Sequence, residues 1–366
     1  MNDREIEIEV LNTLELLKRI ISTQSFSREE EPVVKILEDH FKKNKVKVFR
    51  KGNNIWVKNQ FFKPTLPTLL LNSHTDTVHP NSGYTKNPFE PIIEEGKLFG
   101  LGSNDAGGAL VCLASCFLHF YAKKDLLFNI VYAATAEEEI SGINGIESIL
   151  EEISPIHFAI VGEPTLMQMA VAERGLMVID CLRMGRSGHA ARMEGDNALI
   201  GALEDLNWFS SFKFPQRPNL LGPVRMSPTV IRAGSEHNVV PAECHYVVDI
   251  RVPDMYTHEE ILETIRKSVK SMVTPRSLRL KSSLIPDHHP LVQSGLSLGI
   301  STYGSPTTSD KALIPVPALK MGPGDSARSH TADEFIYLEE IEGGLKTYIQ
   351  LLKALNHYYE TLGKRA

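Results

Sequence analysis

The sequence predicts an α/β protein of two domains: a main domain with a mixed, mostly parallel sheet covered by helices, and an inserted α+β domain. The chain has 366 residues, which is more than a single hydrophobic core usually serves. From Leu69 onward, short apolar runs alternate with segments of helical period, a pattern typical of an α/β sheet. After Gly175 the order of predicted elements changes to β-α-β-β-α-β, which indicates a split βαβ unit inserted into the first domain. The predicted boundaries are 1–175 and 287–366 for the main domain and 176–286 for the insert.

The elements of the main domain follow from run length and period. Apolar runs of strand length predict strands at 66–73, 97–103, 127–135 and 157–164. Longer segments with helical spacing of apolar residues predict helices at 107–124, 143–153 and 338–362. Runs without polar alternation indicate strands that are covered on both faces.

The inserted domain contains four predicted strands and two predicted helices. The strands are predicted at 176–185, 228–234, 243–252 and 276–285. The helices are predicted at 196–212 and 257–269. This order predicts a ferredoxin-like domain.

Composition excludes several classes of function. The net charge is −6, with both signs spread along the chain, so no concentrated basic face for nucleic acid is expected. The four cysteines are too few and too scattered for a disulfide framework, which favours a reducing, cytoplasmic location. The longest apolar segment opens with two glycines and contains a histidine, so we expect a buried core helix and no membrane anchor.

Acidic and imidazole side chains follow the apolar runs of the main domain. His74 and Asp76 follow the first run, Asp105 the second, Glu137–Glu139 the third and Glu163 the fourth. Because ligands bind outside the carboxyl ends of strands in open α/β sheets, these side chains could converge on one crevice. Oxygen and imidazole ligands without thiolate suit zinc, cobalt or manganese.

Each of these residues also has a simpler interpretation. The His74/Asp76 pair occurs often by chance, Asp105 could cap the following helix, the glutamate run could be a solvated helix start, and Glu163 could lie in a plain turn. It is much less probable that all four simple interpretations hold at once than that the four groups of residues share one site. The combination therefore favours a metal site.

The chemistry of a metal site indicates which role each of these residues can have. Asp76 can hold the second ring nitrogen of His74. One carboxylate can bridge two cations, and of two adjacent glutamates one can ligate while the other moves a proton. His330, in a glycine-rich loop just before the last helix, is a candidate for a distant ligand.

Seven motifs appear in order along the chain: SHTDTV, GLGSNDAGGAL, TAEEEISG, VGEPT, RSGHAAR, HNVVPAECHYVVDIR and GPGDSARSHTADE. Together they resemble the M20 family of metallopeptidases and deacylases, and among its branches the acetylornithine deacetylases. The resemblance implies two divalent cations, most often Zn²⁺ with Co²⁺ or Mn²⁺ as alternatives. His74 and Glu163 would hold one ion, Glu139 and His330 the other, and Asp105 would bridge them.

The resemblance also implies roles beyond the ligands. Glu138 would be the general base and acid, with Glu137 in a variable acidic place, and Asp76 would orient His74. The peptide bond between Asp105 and Ala106 would be cis.

For the inserted domain, the resemblance implies a dimerisation or lid domain, and hence a homodimer. His189 would reach the partner subunit's site to stabilise an oxyanion. Asn238 and Arg251 would contact the substrate, since a guanidinium suits a carboxylate.

The function implied is hydrolysis of the N-acyl group, acetyl or succinyl, of an N-acyl amino acid such as N-acetylornithine or N-acylcitrulline in arginine biosynthesis. The alternatives are a di- or tripeptidase and a succinyl-diaminopimelate desuccinylase. The sequence departs from the family at Leu101, Ala106 and Gly107, which leaves the ligands intact but bears on specificity. A nucleotide-binding loop at Gly100 and Gly102 is disfavoured because the third glycine of that motif is replaced by an aspartate.

Overall fold

The computed structural model describes residues 3–192, 194–216 and 218–363, and its chain divides into two compact units. Unit 1 consists of Met1–Val171, Ile285–Tyr303 and Ser309–Ala366, and unit 2 of Ala172–Leu284 and Gly304–Thr308. The segment Gly304–Thr308 lies in the range predicted for the main domain but groups with unit 2. Hydrogen bonds from Arg174 N to Ser305 O (3.3 Å) and from Thr308 Oγ1 to Arg174 O (2.8 Å) hold it there.

Eight helices and eighteen strands lie within the described residues. The helices are Asp3–Ile21 (α1), Glu31–Lys43 (α2), Gly108–Phe120 (α3), Leu150–Ile153 (α4), Ala198–Ser211 (α5), His258–Ser268 (α6), Pro290–Ser297 (α7) and Leu338–Gly363 (α8). The strands are Val48–Lys51 (β1), Asn54–Lys58 (β2), Thr68–His74 (β3), Ile92–Glu94 (β4), Lys97–Phe99 (β5), Asn129–Thr135 (β6), Phe158–Val161 (β7), Met169–Glu173 (β8), Gly175–Met184 (β9), Gly188–His189 (β10), Arg225–Ala233 (β11), Val239–Val240 (β12), Glu243–Val252 (β13), Met272–Pro275 (β14), Ser283–Leu284 (β15), Thr302–Ser305 (β16), Ala318–Lys320 (β17) and Phe335–Tyr337 (β18).

The main sheet of unit 1 has the order β1-β2-β6-β3-β7-β17-β8. Its centre is parallel, since β3 pairs in parallel with β6 and β7, and β17 pairs in parallel with β7. Antiparallel strands flank this centre, with β2 beside β6 and β8 beside β17. The prediction of an α/β fold with a mixed sheet covered by helices is confirmed.

The apolar run of β3 is buried because both faces of the sheet are covered. All seven residues of β3 are buried. Leu69 and Leu71 belong to the core cluster that includes residues of α3 and α8, whereas Leu70 belongs to a second cluster with Ile146 and Ile149. Successive side chains of a strand point to opposite faces, so a strand between two layers has apolar residues throughout.

Three of the predicted helices and strands differ from those in the structure. The run at 97–103 is not a strand of the main sheet, because only β5 is extended and it pairs with β4 and β18 in a separate small sheet. The helix predicted at 143–153 is reduced to a 3₁₀ turn at Ile146–Ile149 and the single turn of α4. The strand predicted at 276–285 is wrong: β14 lies before it, and only β15 within it is extended.

The sheet of unit 2 has the order β11-β13-β9-β14, and its pairings are all antiparallel. Helices α5 and α6 contribute residues to the apolar cluster on this sheet. The start of α6 is fixed by a capping box, in which Thr257 Oγ1 accepts the Glu260 N–H and the Glu260 carboxylate accepts the Thr257 N–H. Among the helices that the structure describes, none combines the length and apolarity needed to cross a bilayer.

Candidate metal centre

Three stretches of acidic or imidazole side chains leave the same edge of the main sheet. In the parallel register His74 lies opposite Thr135, so Glu137–Glu139 emerge beside His74. Val161 lies opposite Asn72 on the other side of β3, which places Glu163 at the same edge. The convergence therefore follows from strand register, because the carboxyl ends of parallel neighbours meet at one edge.

Asp105 reaches this edge by a different route from the one predicted. It follows the small strand β5 through a turn in which Gly102 has φ +73°, and a Cβ at Gly102 would lie 2.6 Å from Thr77 Cγ2. Glycine is required there by both the backbone conformation and the close contact. The peptide bond between Asp105 and Ala106 is cis, as the resemblance implied, and α3 begins at Gly108.

The five predicted ligands lie together in unit 1. His74 Nε2 lies 3.4 Å from Asp105 Oδ1 and 3.8 Å from Glu163 Oε1. His330 Nε2 lies 2.9 Å from Glu139 Oε2 and 3.7 Å from Asp105 Oδ2. The two oxygens of Asp105 thus face the two histidines separately, the arrangement that a bridging carboxylate requires.

The donor atoms fit divalent cations. His74 Nε2 is buried and has no hydrogen-bond partner, a costly state for a ring nitrogen unless a ligand occupies it. The donor atoms of His74, Asp105 and Glu139 lie within 4.8 Å of one another, as do those of His74, Glu138 and Glu163. Nitrogen and carboxylate donors at this spacing suit Zn²⁺, Co²⁺ or Mn²⁺.

Asp76 holds His74 mainly through its main chain. His74 Nδ1 lies 2.9 Å from the carbonyl oxygen of Asp76 and 3.5 Å from its Oδ1. The carboxylate of Asp76 accepts hydrogen bonds from Ser27 Oγ (2.7 Å) and from the N–H groups of Glu138 and Glu139 (3.1 Å each). Asp76 therefore orients the imidazole and also ties the glutamate turn to β3.

Burial governs the protonation of the acids in this cluster. Burial raises the pKa of Glu163 from 4.5 to about 8, and burial together with Glu163 raises the pKa of Glu138 well above its usual range. Burial also raises the pKa of Glu139. Without cations these carboxyls would retain protons to limit their mutual repulsion, so bound cations would replace those protons.

The two histidines of the cluster, in contrast to the acids, favour their charged form. Burial alone would lower the pKa of His74, but the carboxylates of Asp105 and Asp76 outweigh it and raise that pKa well above 6.5. The contact with Glu139 raises the pKa of His330 from 6.5 to about 9. Each imidazole thus lies in a strongly negative environment.

Of the three consecutive glutamates, only Glu138 and Glu139 face the cluster. Glu137 has φ +56°, donates its N–H to Glu30 Oε1 (3.2 Å) and accepts a hydrogen bond from Asn144 Nδ2 (2.9 Å). Its side chain therefore faces away from the cluster and anchors the following turn. Both Glu138 and Glu139 have a donor oxygen within 4.8 Å of His74. Only Glu139 also contacts His330 Nε2, at 2.9 Å, so Glu139 is the candidate ligand beside His330 and Glu138 is left as the candidate base.

The other three predicted residues lie in unit 2. His189 is exposed in β10, where it pairs with Val239, and its Nδ1 accepts the N–H of Ala191 (3.2 Å). The carbonyl of Asn238 accepts the N–H of Ala190 (3.0 Å), so His189 and Asn238 are close neighbours.

Arg251, in β13, already has a carboxylate partner. Its Nε and Nη2 donate to the two oxygens of Asp249 at 2.8 and 3.1 Å. A substrate carboxylate would have to replace or extend that pair. The substrate contacts of His189, Asn238 and Arg251 stay predictions.

Two residues of this environment were missed by the sequence analysis. Ser27, which bonds Asp76, lies in a polar stretch with no signal of its own. Lys320 is buried at the end of β17, and its charge lowers the pKa of Glu163 against the effect of burial. A lysine closing the apolar run of β17 was a detectable signal, because buried lysines need a charged partner.

Residues 70–354 match the profile described as "Peptidase family M20/M25/M40". The chain belongs to this family. The M20 fold is shared with solved structures at low identity, including a tripeptidase from Staphylococcus aureus subsp. aureus mu50 (TM-score 0.77, 20% identity, covering 95% of this chain and 99% of that one). Another is a dinuclear metal-binding peptidase from Bacillus subtilis (TM-score 0.70, 11% identity, covering 94% and 98%).

Curated relatives within this M20 group carry names that differ from the acetylornithine branch. A succinyl-diaminopimelate desuccinylase from Wolbachia pipientis subsp. Culex pipiens is 24% identical over 96% of this chain and 94% of its own length. One from Helicobacter pylori (strain HPAG1) is 28% identical over 77% and 79%. A [LysW]-lysine/[LysW]-ornithine hydrolase from Sulfurisphaera tokodaii is 26% identical over 93% and 95%.

The protonation of the cluster predicts how the metal-free protein responds to pH. In the folded state the pKa of Glu163 is raised from 4.5 to about 8, and that of His330 from 6.5 to about 9. Between the ordinary and the raised value of each group, the folded state therefore binds more protons than the unfolded state. We therefore expect the free energy of unfolding to fall as the pH rises from about 5 to about 9. Asp76 and Asp105, whose pKa values are lowered, act in the opposite sense only below about pH 4. Burial lowers the pKa of His40, His258 and His289, and these three oppose the trend only below about pH 6.5.

Denaturant unfolding at several pH values, with and without saturating Zn²⁺, measures this dependence. Zn²⁺ should flatten it, because the cation replaces the protons. A metal-free protein that becomes more stable between pH 5 and pH 9 would contradict the expectation.

Proposed function

We propose that this M20 protein is a dinuclear metal-dependent hydrolase that removes the acyl group from an N-acyl amino acid. The observation that carries the proposal is the pair of histidines facing opposite oxygens of Asp105, with Glu139 and Glu163 completing the two sets. Two sets of donors that share one carboxylate match the geometry of two cations about 3.5 to 4 Å apart.

In hydrolysis of the acyl amide, the cation ligands and Glu138 would have different roles. Cations held by the two donor sets would supply Lewis acidity toward the acyl oxygen and the attacking water. Glu138, whose oxygen lies within 4.8 Å of donor atoms of His74 and Glu163, would take one proton from that water. As the C–N bond breaks, Glu138 would pass the proton to the leaving amine, which releases a carboxylic acid and a free amino group.

The pKa of Glu138 supports this assignment. In the metal-free protein, burial and the neighbouring Glu163 raise it well above that of a free glutamate. A carboxyl with a raised pKa can both accept and donate a proton near neutral pH, whereas an ordinary glutamate is a poor acid there. Asp76 fixes Glu138 by accepting its N–H, so the base has a defined position.

For the substrate, the names of the relatives favour N-succinyl-diaminopimelate over the N-acetylornithine of our first expectation. Two relatives that align over most of this chain are succinyl-diaminopimelate desuccinylases. The second candidate is a [LysW]-linked lysine or ornithine, because the relative of that name aligns over 93% of this chain.

Steady-state kinetics on a substrate panel tests the choice. The panel comprises N-succinyl-L,L-diaminopimelate, [LysW]-lysine, N-acetylornithine, N-acetylcitrulline and simple dipeptides. We expect kcat/KM for the succinyl substrate to exceed that for the acetyl substrates and dipeptides by about 10⁴-fold, since a site built to bind a polar group rejects analogues that lack it. Equal turnover of unrelated dipeptides would instead assign a peptidase.

A further inference from the structure

A buried carboxylate outside the ligand set holds the loop that carries Asp105. Glu334 has only 2% of its surface exposed. Its Oε2 accepts the N–H of Gly102 (2.9 Å), and its Oε1 accepts the N–H groups of Asn104 and Asp105 (2.9 Å each). Three main-chain donors therefore converge on one buried carboxyl group.

The main chain of Glu334 adds a fourth link to the same loop. Its carbonyl oxygen accepts the N–H of Gly100 at 2.9 Å. Asn104 extends the connection, because its side chain donates to Asp325 O (3.0 Å) and accepts the Asp325 N–H (3.0 Å). The segment 100–105 is therefore bound to the segment 325–334 along most of its length.

These two segments carry one candidate ligand each. Asp105 ends the first segment, and His330 lies four residues before Glu334 in the second. His330 has φ +60°, and 55% of its side chain is exposed, so packing around its own ring does little to fix it. The glycines at 100 and 102 likewise leave the Asp105 loop free to adopt other conformations unless something holds it.

We propose that Glu334 is a positioning residue that fixes Asp105 relative to His330 and thereby sets the affinity of the cation site formed by Asp105, Glu139 and His330. The inference rests on the proposed metal centre. The carboxyl group of Glu334 bonds main-chain N–H groups and none of the atoms that would bind a cation. Its effect on catalysis is therefore indirect.

The variant Glu334→Gln isolates this role with the smallest change in shape. Glutamine keeps one acceptor oxygen, so it can hold either the Gly102 N–H or the Asn104 and Asp105 pair, while its NH₂ group faces the remaining donor. We expect one of the two Zn²⁺ equivalents to bind about 10- to 100-fold less tightly, as for other groups that orient ligands. In the Co²⁺-loaded protein the visible absorption spectrum should change, while KM stays close to wild type and kcat falls.

Asp333→Asn is the matched control. Asp333 is the adjacent acid, and its carboxylate also accepts three hydrogen bonds from a loop, namely from Thr85 N (2.8 Å), Thr85 Oγ1 (2.5 Å) and Lys86 N (2.9 Å). That loop carries no candidate ligand, so Asp333→Asn should bind both equivalents with wild-type affinity. Thermal unfolding of each metal-free variant separates a general loss of stability from a specific loss of metal affinity.

Three outcomes decide the inference. If Glu334→Gln is folded and binds both Zn²⁺ equivalents as tightly as Asp333→Asn does, the inference is wrong. If Glu334→Gln does not fold, Glu334→Asp replaces it. Aspartate keeps the carboxyl group, but its shorter side chain cannot reach all three donors. Unchanged Zn²⁺ affinity in that variant overturns the inference. If the wild-type protein itself binds no divalent cations, the proposed function is wrong, and the inference that rests on it is wrong as well.

Discussion

Replacing Glu138 by glutamine is expected to lower kcat by about 10²- to 10⁴-fold while both cations stay bound, because general acid–base catalysis contributes that much. Glutamine has nearly the same shape as glutamate, but it cannot accept a proton from water. The N–H of Glu138 would still bond Asp76, so the turn and its neighbours should keep their positions.

Glu137→Gln is the control for this variant. Glu137 is the preceding acid in the same turn, but its side chain faces Asn144, and glutamine retains an oxygen to accept that hydrogen bond. We expect kcat within a few-fold of wild type. Steady-state kinetics and metal analysis of both variants provide the measurement, and an unimpaired Glu138→Gln enzyme would exclude Glu138 as the base.

Removing the cations with a chelator is expected to lower the rate at least about 10³-fold, because Lewis acidity supplies several kcal/mol of transition-state stabilisation. Zn²⁺, Co²⁺ or Mn²⁺ added back should restore activity. The melting temperature should also fall, since a ligand present at about 1,000 times its Kd stabilises the folded state by about 4 kcal/mol.

The structure gives a reason for this loss of stability. Glu138, Glu139 and Glu163 crowd one partly buried site, and their pKa values are all raised there. The metal-free state must either protonate these acids or bear their repulsion. Calorimetry and activity assays before and after dialysis against chelator test both effects, and a chelated protein that hydrolyses as fast as the loaded one would contradict the metal mechanism.

Most of the fold was predictable because burial leaves a clear pattern in the sequence. The unbroken apolar runs of β3, β6 and β7 indicated strands covered on both faces, and these strands form the parallel centre of the main sheet. The wrong predictions concern segments whose hydrophobic pattern is that of a strand but which do not pair with the expected sheet. The run at 276–285 has alternating apolar residues, yet the edge of the unit 2 sheet is occupied by β14, which precedes it.

The approach of Asp105 to the site shows a second limit. The sequence indicated that an acid follows each apolar run, but it could not show that the run before Asp105 lies outside the main sheet. Asp105 reaches His74 through a glycine turn that Glu334 holds, and Glu334 lies more than 200 residues away in the chain. No local pattern records such a contact.

By itself, the sequence determined the α/β class and the residue types that cluster at strand ends, because hydrophobic period and side-chain chemistry are local properties. Only the tertiary structure decided which of Glu137, Glu138 and Glu139 face the cluster, that the main-chain carbonyl of Asp76 contacts His74, and that Glu334 ties two loops together. These features depend on backbone dihedral angles and on hydrogen bonds between distant segments, and such bonds form only when the sheet and its loops are assembled.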